Sequence, residues 1–310
     1  MTELTRVSRD TDFEEIAAFQ RRAFGHQWLK SERRRLQRAE YYGWKYFPPA
    51  GPALMATIRS RQELVAMVAA VPFALTAGAE CAWQICDIAT LPQFRQRGFF
   101  ARCLTVLDTA VAADATFCFP NRQSRAGLVK AGYAVRSLLS VRARPLFPRL
   151  TNGTGAPGPA SVELDECAAA FATSGTERRI ARTPEFLRWR YGAHPLNRYA
   201  ALRATSALND SCVVVRHLFN GRVGLIVDVS AAAGDALRAG RAAARQWAQK
   251  TGCSALLWTR SVDVTAGGIS VMSARQMPWH VVCYAKEPVE SSSPATAGHF
   301  EIRFGDWDAI

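Results

Sequence analysis

The sequence predicts an α/β protein built from two copies of one domain fold. Three observations carry that reading. Apolar strand-like runs alternate with helical periodicity through the first half of the chain. Residues 151–161 combine Gly, Pro, Ser and Thr without an apolar period, which is linker chemistry, and they divide the 310 residues nearly in half. Landmarks of the first half then recur, in order, in the second. The expected organisation is a first domain over 1–150, a linker over 151–161 and a second domain over 162–310.

Taken in order, Asp10-Thr11-Asp12 supplies an N-cap for a helix that carries Phe13, Ile16, Ala17 and Phe24 on one face. Residues 64–71 form an unbroken apolar run, as a buried strand does, and Pro72 is expected to close it. Residues 83–90 read as a further strand. From Gly98 onward Phe100, Leu104, Leu107 and Val111 recur at helical spacing. Residues 116–119 and 133–143 complete the half as strands. In the second half Trp189-Arg190-Tyr191 echoes Trp44-Lys45-Tyr46, the two tryptophans lying 145 positions apart. Residues 223–230, with Asp228, echo the strand that holds Asp87, 141 residues earlier. A helix with Leu237, Gly240, Ala244 and Trp247 on one face follows, then strand-like runs at 254–258 and 280–285. Each half is expected to close on its own last strand.

Composition narrows the function. Apolar residues make up 49 %, enough for a core, which excludes extended disorder. No apolar run is long enough to span a bilayer, and the charged N-terminus has no apolar stretch behind it, so a cytoplasmic protein is expected. The net charge is +13, but 34 of the 39 basic residues are Arg, scattered apart from Arg33-Arg34-Arg35. A solvated basic surface is the expectation, with neither nucleic acid nor membrane as partner. The eight cysteines form no C-x-x-C pair and lie mostly in apolar runs, which predicts small reduced core residues and no structural metal.

One junction carries chemistry. Asp87-Ile88-Ala89-Thr90 ends a strand, a polar loop follows, and Gly98 opens a helix with Arg95, Arg97 and Arg102 around it. A helix N-terminus presents unpaired N–H groups and a partial positive charge. Together with the glycine and the arginines this suits a pyrophosphate. An ordinary turn with exposed arginines is the competing reading.

Arg95-x-x-Gly98-x-Phe100, with Pro92 three residues before the arginine, resembles the coenzyme-A-binding signature of the GNAT superfamily of N-acetyltransferases, Gln/Arg-x-x-Gly-x-Gly/Ala. Phe100 replaces the last small residue, as in the branch that contains the enhanced-intracellular-survival acetyltransferases. Asn121-x-x-Ser124, followed by Gly132-Tyr133, resembles the next block of that family. The two motifs cover residues 87–133, and the order of strands extends the resemblance over 1–150.

The resemblance implies a tandem GNAT-like acyl-CoA N-acyltransferase fold, each lobe a mixed, mostly antiparallel sheet flanked by helices. It implies acetyl-CoA as donor, no metal, and direct attack by a primary amine of a small molecule, an amino sugar among the candidates. The backbone of Gln96, Arg97, Gly98, Phe99, Phe100 and Ala101, with Arg95, would hold the pyrophosphate. Ile88, Ala89 and Thr90 would pair with the pantetheine arm, and the Ile88 N–H would polarise the thioester carbonyl. Asn121 and Ser124 would lie near the thiol.

The family's usual acid, a tyrosine seven residues after the Asn, is Leu128 here. Tyr133, Tyr41 or Tyr42 is left to donate the proton, or the thiolate leaves unaided. Asp87 is the candidate base, its alternative being to cap a loop or pair with an arginine. The terminal segment with Asp306, Asp308 and Ile310 is a second candidate, by analogy with two-lobed relatives, and His26 a third. The aromatic group Trp28, Tyr41, Tyr42, Trp44, Tyr46 and Phe47 would line the acceptor site, with Trp44 and its counterpart Trp189 alternatively serving as packing anchors. The second half has no arginine ahead of its helix, and Asp235 would repel phosphate, so that lobe is expected to be degenerate. A non-catalytic acyl-CoA-binding scaffold and an aminoacyl or peptidyl transferase on a related tandem fold are the competing functions.

Overall fold

A computed structural model describes residues 2–24, 38–76, 81–111, 115–146, 160–172, 179–205, 210–230, 234–263 and 280–286. In chain order the elements are β1 (Thr2–Arg6), α1 (Phe13–Phe24), α2 (Ala39–Lys45), β2 (Leu54–Ser60), β3 (Glu63–Ala74), β4 (Cys81–Thr90), α3 (Phe99–Ala110), β5 (Ala115–Cys118), α4 (Arg122–Lys130) and β6 (Ala134–Pro145). There follow β7 (Ser161–Val162), α5 (Leu164–Ala172), α6 (Pro184–Leu187), β8 (Tyr199–Thr205), β9 (Asp210–Leu218), β10 (Val223–Val229), α7 (Gly234–Lys250), β11 (Ala255–Asp263) and β12 (His280–Lys286).

The chain forms two units. The first comprises Met1–Arg136 with Arg178–Ile180 and Val282–Phe300, the second Ser137–Glu177 with Ala181–Val281 and Glu301–Ile310. The first unit's sheet runs β1-β2-β3-β4-β5-β12, antiparallel except for the parallel pair β4–β5. The second unit's sheet runs β6-β11-β10-β9-β8-β7, antiparallel except for β10–β11. Each is thus the mixed, mostly antiparallel sheet that was expected.

The closing strands depart from expectation. β12 pairs with β5 in the first unit, and most of β6 lies in the second unit, paired with β11. Apolar alternation marks a strand but does not name its partner, so the sequence assigns each run to its own half when the fold exchanges them. The segment 151–159 lies outside the described residues.

In the first unit Asp12 caps α1, its Oδ1 accepting from the Glu15 N–H at 2.9 Å, and Ile16, Ala17, Phe19 and Ala23 are buried. Leu104 and Leu107 of α3 and the adjoining Val111 are buried as the helical spacing predicts, Cys103 is buried beside them, and Phe100 is half-buried. β3 is buried from Leu64 to Phe73, the signature of a strand covered on both faces. It runs through Pro72 rather than stopping there. Pairing with β2 ends at Ala70, and among the described residues no strand replaces it beside Pro72, where a residue without an N–H is tolerated.

The second unit's core gathers Leu202, Val213, Val215, Ile226, Ala244, Ala248 and Leu256. Gly240 is needed there because a Cβ would lie 2.7 Å from Cγ2 of Val213. Cys167 of α5 and Cys212 of β9 are joined in a disulfide, with Cα atoms 5.4 Å apart. This corrects the expectation of eight reduced cysteines: the two are 45 residues apart in sequence, and only the packing of α5 on β9 brings them together. Among the described residues no helix is long and apolar enough to cross a membrane.

Candidate functional site

The site is built on a strand whose neighbour ends early. β4 and β5 pair in parallel from Ala82↔Ala115 to Ile85↔Cys118. β5 stops there, while β4 continues to Thr90. Among the described residues no strand pairs this edge of residues 86–90, which leaves a notch lined by backbone. On its other edge β4 pairs with β3 and bulges: Met67 faces Ala89 and Ala69 faces Cys86, so Asp87 and Ile88 together oppose Val68. Asp87 takes φ +49° at the bulge.

Beyond Thr90 a short 3-10 turn over Pro92–Phe94 leads to the helix. Gln96 has φ +62° and Gly98, the N-cap of α3, has φ +73°. The glycine is required by this left-handed backbone rather than by crowding, since a Cβ there would meet nothing within 4 Å. No side chain caps α3 at Gly98, so no capping side chain occupies its first-turn N–H groups.

The arginines divide between two tasks. Arg95 turns back into the protein: Nε donates to the Thr90 carbonyl at 3.2 Å and a terminal nitrogen donates to the Ala23 carbonyl at 2.9 Å. It fastens the loop to α1, a role its charge alone did not reveal. Arg97 lies over the Phe94 ring at 5.2 Å and Arg102 over the Phe99 ring at 5.7 Å, while the two rings stack on each other at 6.3 Å. These two guanidinium groups flank the opening of α3. Phe100 packs on α4, where Gly127 makes room for it: a Cβ at 127 would lie 2.1 Å from Cε1 of Phe100.

Asn121 and Ser124 are engaged with each other. Asn121 caps α4, its Oδ1 accepting from the backbone N–H groups of Gln123 and Ser124 at 2.9 Å each and from the Ser124 hydroxyl at 3.1 Å. Tyr133 is buried and donates to Asp108 Oδ1 at 2.9 Å, and Lys286 of β12 holds the other carboxylate oxygen at 2.8 Å. Burial first, then the Asp108 charge, pushes the Tyr133 phenol far up from its ordinary value. Asp108 lies ten residues along α3 from Gly98, about 15 Å at 1.5 Å per residue. Leu128 is fully buried.

Asp87 is ion-paired, but with a lysine rather than the arginine expected as the alternative. Its Oδ2 accepts from Lys45 Nζ and from the Tyr46 hydroxyl, each at 2.8 Å, and its backbone carbonyl accepts from Gln20 Nε2 at 3.2 Å. Lys45, Gln20 and Tyr46 are all buried. Burial, then the Asp87 charge, raises both the Tyr46 and the Tyr42 phenols well above their usual range. The surrounding aromatics pack on one another: Tyr41 on Tyr42 at 5.5 Å, Tyr42 on Tyr46 at 5.7 Å, and Phe13 on Phe47 at 6.2 Å. Buried Tyr41 and Tyr42 belong to this packing. His26, Trp28, Asp306, Asp308 and Ile310 lie outside the described residues.

Sequence reasoning missed Lys45 and Gln20 as partners of Asp87, and Gly127 as partner of Phe100. The signal for Lys45 was present: it sits inside the repeated Trp-x-Tyr motif, read there only as a marker of duplication. In the second unit the junction after β10 carries Asp235 ion-paired to Arg238 in the first turn of α7, with no arginine ahead of it.

No protein-family model matches the sequence, and no curated protein matches it. Solved structures do. A GCN5-related N-acetyltransferase from Anabaena variabilis superposes with a TM-score of 0.60 at 11 % identity, over 93 % of this chain and 73 % of that one. Eis1 from Mycobacterium abscessus gives 0.55 at 16 %, over 93 % and 74 %. Saccharomyces cerevisiae N-myristoyltransferase with bound myristoyl-CoA gives 0.51 at 10 %, over 93 % and 84 %. At these identities the likeness establishes the fold.

Proposed function

We propose that this chain, which carries the tandem GNAT-type acyltransferase fold, transfers an acyl group from an acyl-CoA to a primary amine. The observation that supports this most is the coincidence, on one strand–loop–helix junction, of an unpaired β4 edge and a left-handed loop opening α3. The first suits the amide groups of a pantetheine arm and the second a pyrophosphate.

In this reading the N–H groups of residues 96–101 receive the pyrophosphate, with Arg97 and Arg102 adding charge on either side. Arg95 acts indirectly, by holding the loop against Thr90 and Ala23. The pantetheine amides add to the β4 edge at Ile88, Ala89 and Thr90. The thioester carbonyl then meets the Ile88 N–H, which carries the charge that develops on oxygen when the amine attacks. The tetrahedral intermediate loses the amine's extra proton to solvent water and collapses by breaking the carbon–sulfur bond, giving the amide and the CoA thiolate. Leu128 cannot protonate that thiolate, and the Tyr133 hydroxyl already donates to Asp108. The thiolate therefore leaves without side-chain acid help from either position. Acetyl is the proposed acyl group and a small amine, such as an amino sugar, the proposed acceptor.

Thiol release from acetyl-CoA and from myristoyl-CoA, with a panel of amino sugars, polyamines and amino acids, tests this. Turnover with acetyl-CoA and at least one amine is the expected result. Tight acyl-CoA binding without turnover on any amine would favour a scaffold, a reading to which Leu128 and the engaged Tyr133 lend some support.

A further inference from the structure

The chain contains its own control for the role of Asp87. In the second unit Tyr191 donates to Asp228 Oδ2 at 2.9 Å, as Tyr46 does to Asp87, and Arg182 Nε holds the same oxygen at 2.7 Å, as Lys45 does. Asp228 also sits at a bulge: the β9–β10 register skips one residue between Ile226 and Asp228. The clamp of tyrosine, carboxylate and cation is thus repeated at the bulge of a strand whose following junction has lost its phosphate loop. A device retained where no acyl-CoA is expected has a structural purpose, namely to fix the bulge.

The two copies differ in backbone, since of the two aspartates Asp87 alone is left-handed and the second bulge skips Val227, and they differ in the use of one N–H. In the second unit the N–H after the aspartate, that of Val229, is taken by Asp228 Oδ1 at 3.0 Å. In the first unit the Asp87 carboxylate reaches Lys45 and Tyr46 through Oδ2, and among the described residues no side chain takes the Ile88 N–H. The clamp is anchored on two helices and a strand. Lys45 ends α2, Gln20 of α1 holds the Asp87 carbonyl, and the Tyr46 carbonyl accepts from the Ala53 N–H ahead of β2 at 2.9 Å. These ties fix the direction of the peptide that joins Asp87 to Ile88.

We infer that Asp87 is a positioning residue: with Lys45 and Tyr46 it holds the β4 bulge so that the Ile88 N–H faces the acyl-CoA thioester, and it does not take the proton from the acceptor amine. In the second unit the corresponding bulge lies one residue earlier in register, and its Val229 N–H is taken by Asp228 Oδ1. The inference rests on the donor site proposed above.

The test needs no acceptor. CoA lacks the thioester carbonyl and acetyl-CoA has it, so the ratio of their dissociation constants reports the Ile88 contact, and the carbonyl stretch of 13C-labelled acetyl-CoA reports its polarisation. In the full-length wild type the expected results are tighter binding of acetyl-CoA than of CoA and a carbonyl stretch below that of free acetyl-CoA. In Asp87→Asn and Tyr46→Phe the preference for acetyl-CoA falls several-fold and the stretch returns toward the free value, while CoA affinity, which also draws on the untouched loop at 96–101, falls less than that for acetyl-CoA. Tyr191→Phe leaves both readouts as in wild type. Should Asp87→Asn fail to fold, Tyr46→Phe, which keeps the ion pair with Lys45, carries the test. A wild-type-like preference and stretch in Tyr46→Phe and any folded Asp87→Asn would overturn the inference. Failure of the wild type to bind either compound would instead overturn the proposed function.

Discussion

His194 shows how a single residue's surroundings set its chemistry. Its Nδ1 accepts from the backbone N–H groups of Leu196 and Asn197, each at 3.1 Å, an arrangement open only to the neutral ring. Burial, helped by the charges of Arg190 and Arg216, lowers its pKa to about 3. In the unfolded chain it titrates near 6.5. Between those values the unfolded state binds a proton that the native state refuses, so this residue makes stability fall as pH drops from about 6.5 and level off below about 3. The slope approaches about 1.4 kcal/mol per pH unit inside that window. In His194→Gln, urea unfolding at pH 4.5 and pH 7 is expected to show a smaller difference between the two pH values than in wild type. At this scale the sequence revealed residues that act on their own backbone, such as Asp12 and Gly98. It could not reveal where a long side chain turns, and so Arg95 reads as a phosphate ligand although it donates to Thr90 and Ala23.

At the scale of elements, the bulky Phe100 and the missing side chain at Gly127 explain each other. Phe100, in the first turn of α3, fills the space that Gly127 leaves on α4. Gly127→Ala puts a methyl group 2.1 Å from the ring and is expected to destabilise the fold by about 1–3 kcal/mol, in spite of alanine's better helix propensity. Phe100→Ala in the same chain should relieve most of that strain. A double-mutant cycle from denaturant unfolding measures the coupling, and additive single effects would show that the two residues do not touch. Strands and helices with clean apolar periods were legible, β4 and α3 above all, while β1, β2, β8, β9, α2, α4, α5 and α6 were not. The path of β3 through Pro72 was not, since a proline's tolerance depends on whether the neighbouring strand has already ended. Nor was the bulge at Asp87 and Ile88: an extra residue in a strand leaves the composition unchanged and shows only in the register with β3.

For the molecule as a whole, duplication was legible in the Trp-x-Tyr and aspartate landmarks, and the structure gives them a shared function. Tyr46 meets Asp87 and Tyr191 meets Asp228, so the matching residues mark one clamp built twice. The exchange of β6 and β12 was not legible, because strand partners are chosen in three dimensions. The cysteines show the same limit. With Cys167 and Cys212 bonded and six cysteines free, alkylation of the unfolded chain is expected to label six thiols without reductant and eight with it. Eight in both conditions would place the chain in a reduced state. The central claim is that the left-handed loop opening α3 holds the pyrophosphate of an acyl-CoA, and it is tested most directly by calorimetric titration of CoA into wild type and Gly98→Glu. The variant forces a side chain onto φ +73° and sets a negative charge against the phosphates. The account predicts binding to wild type and a loss of at least tenfold in affinity in a folded Gly98→Glu; equal affinity in the two proteins would contradict it.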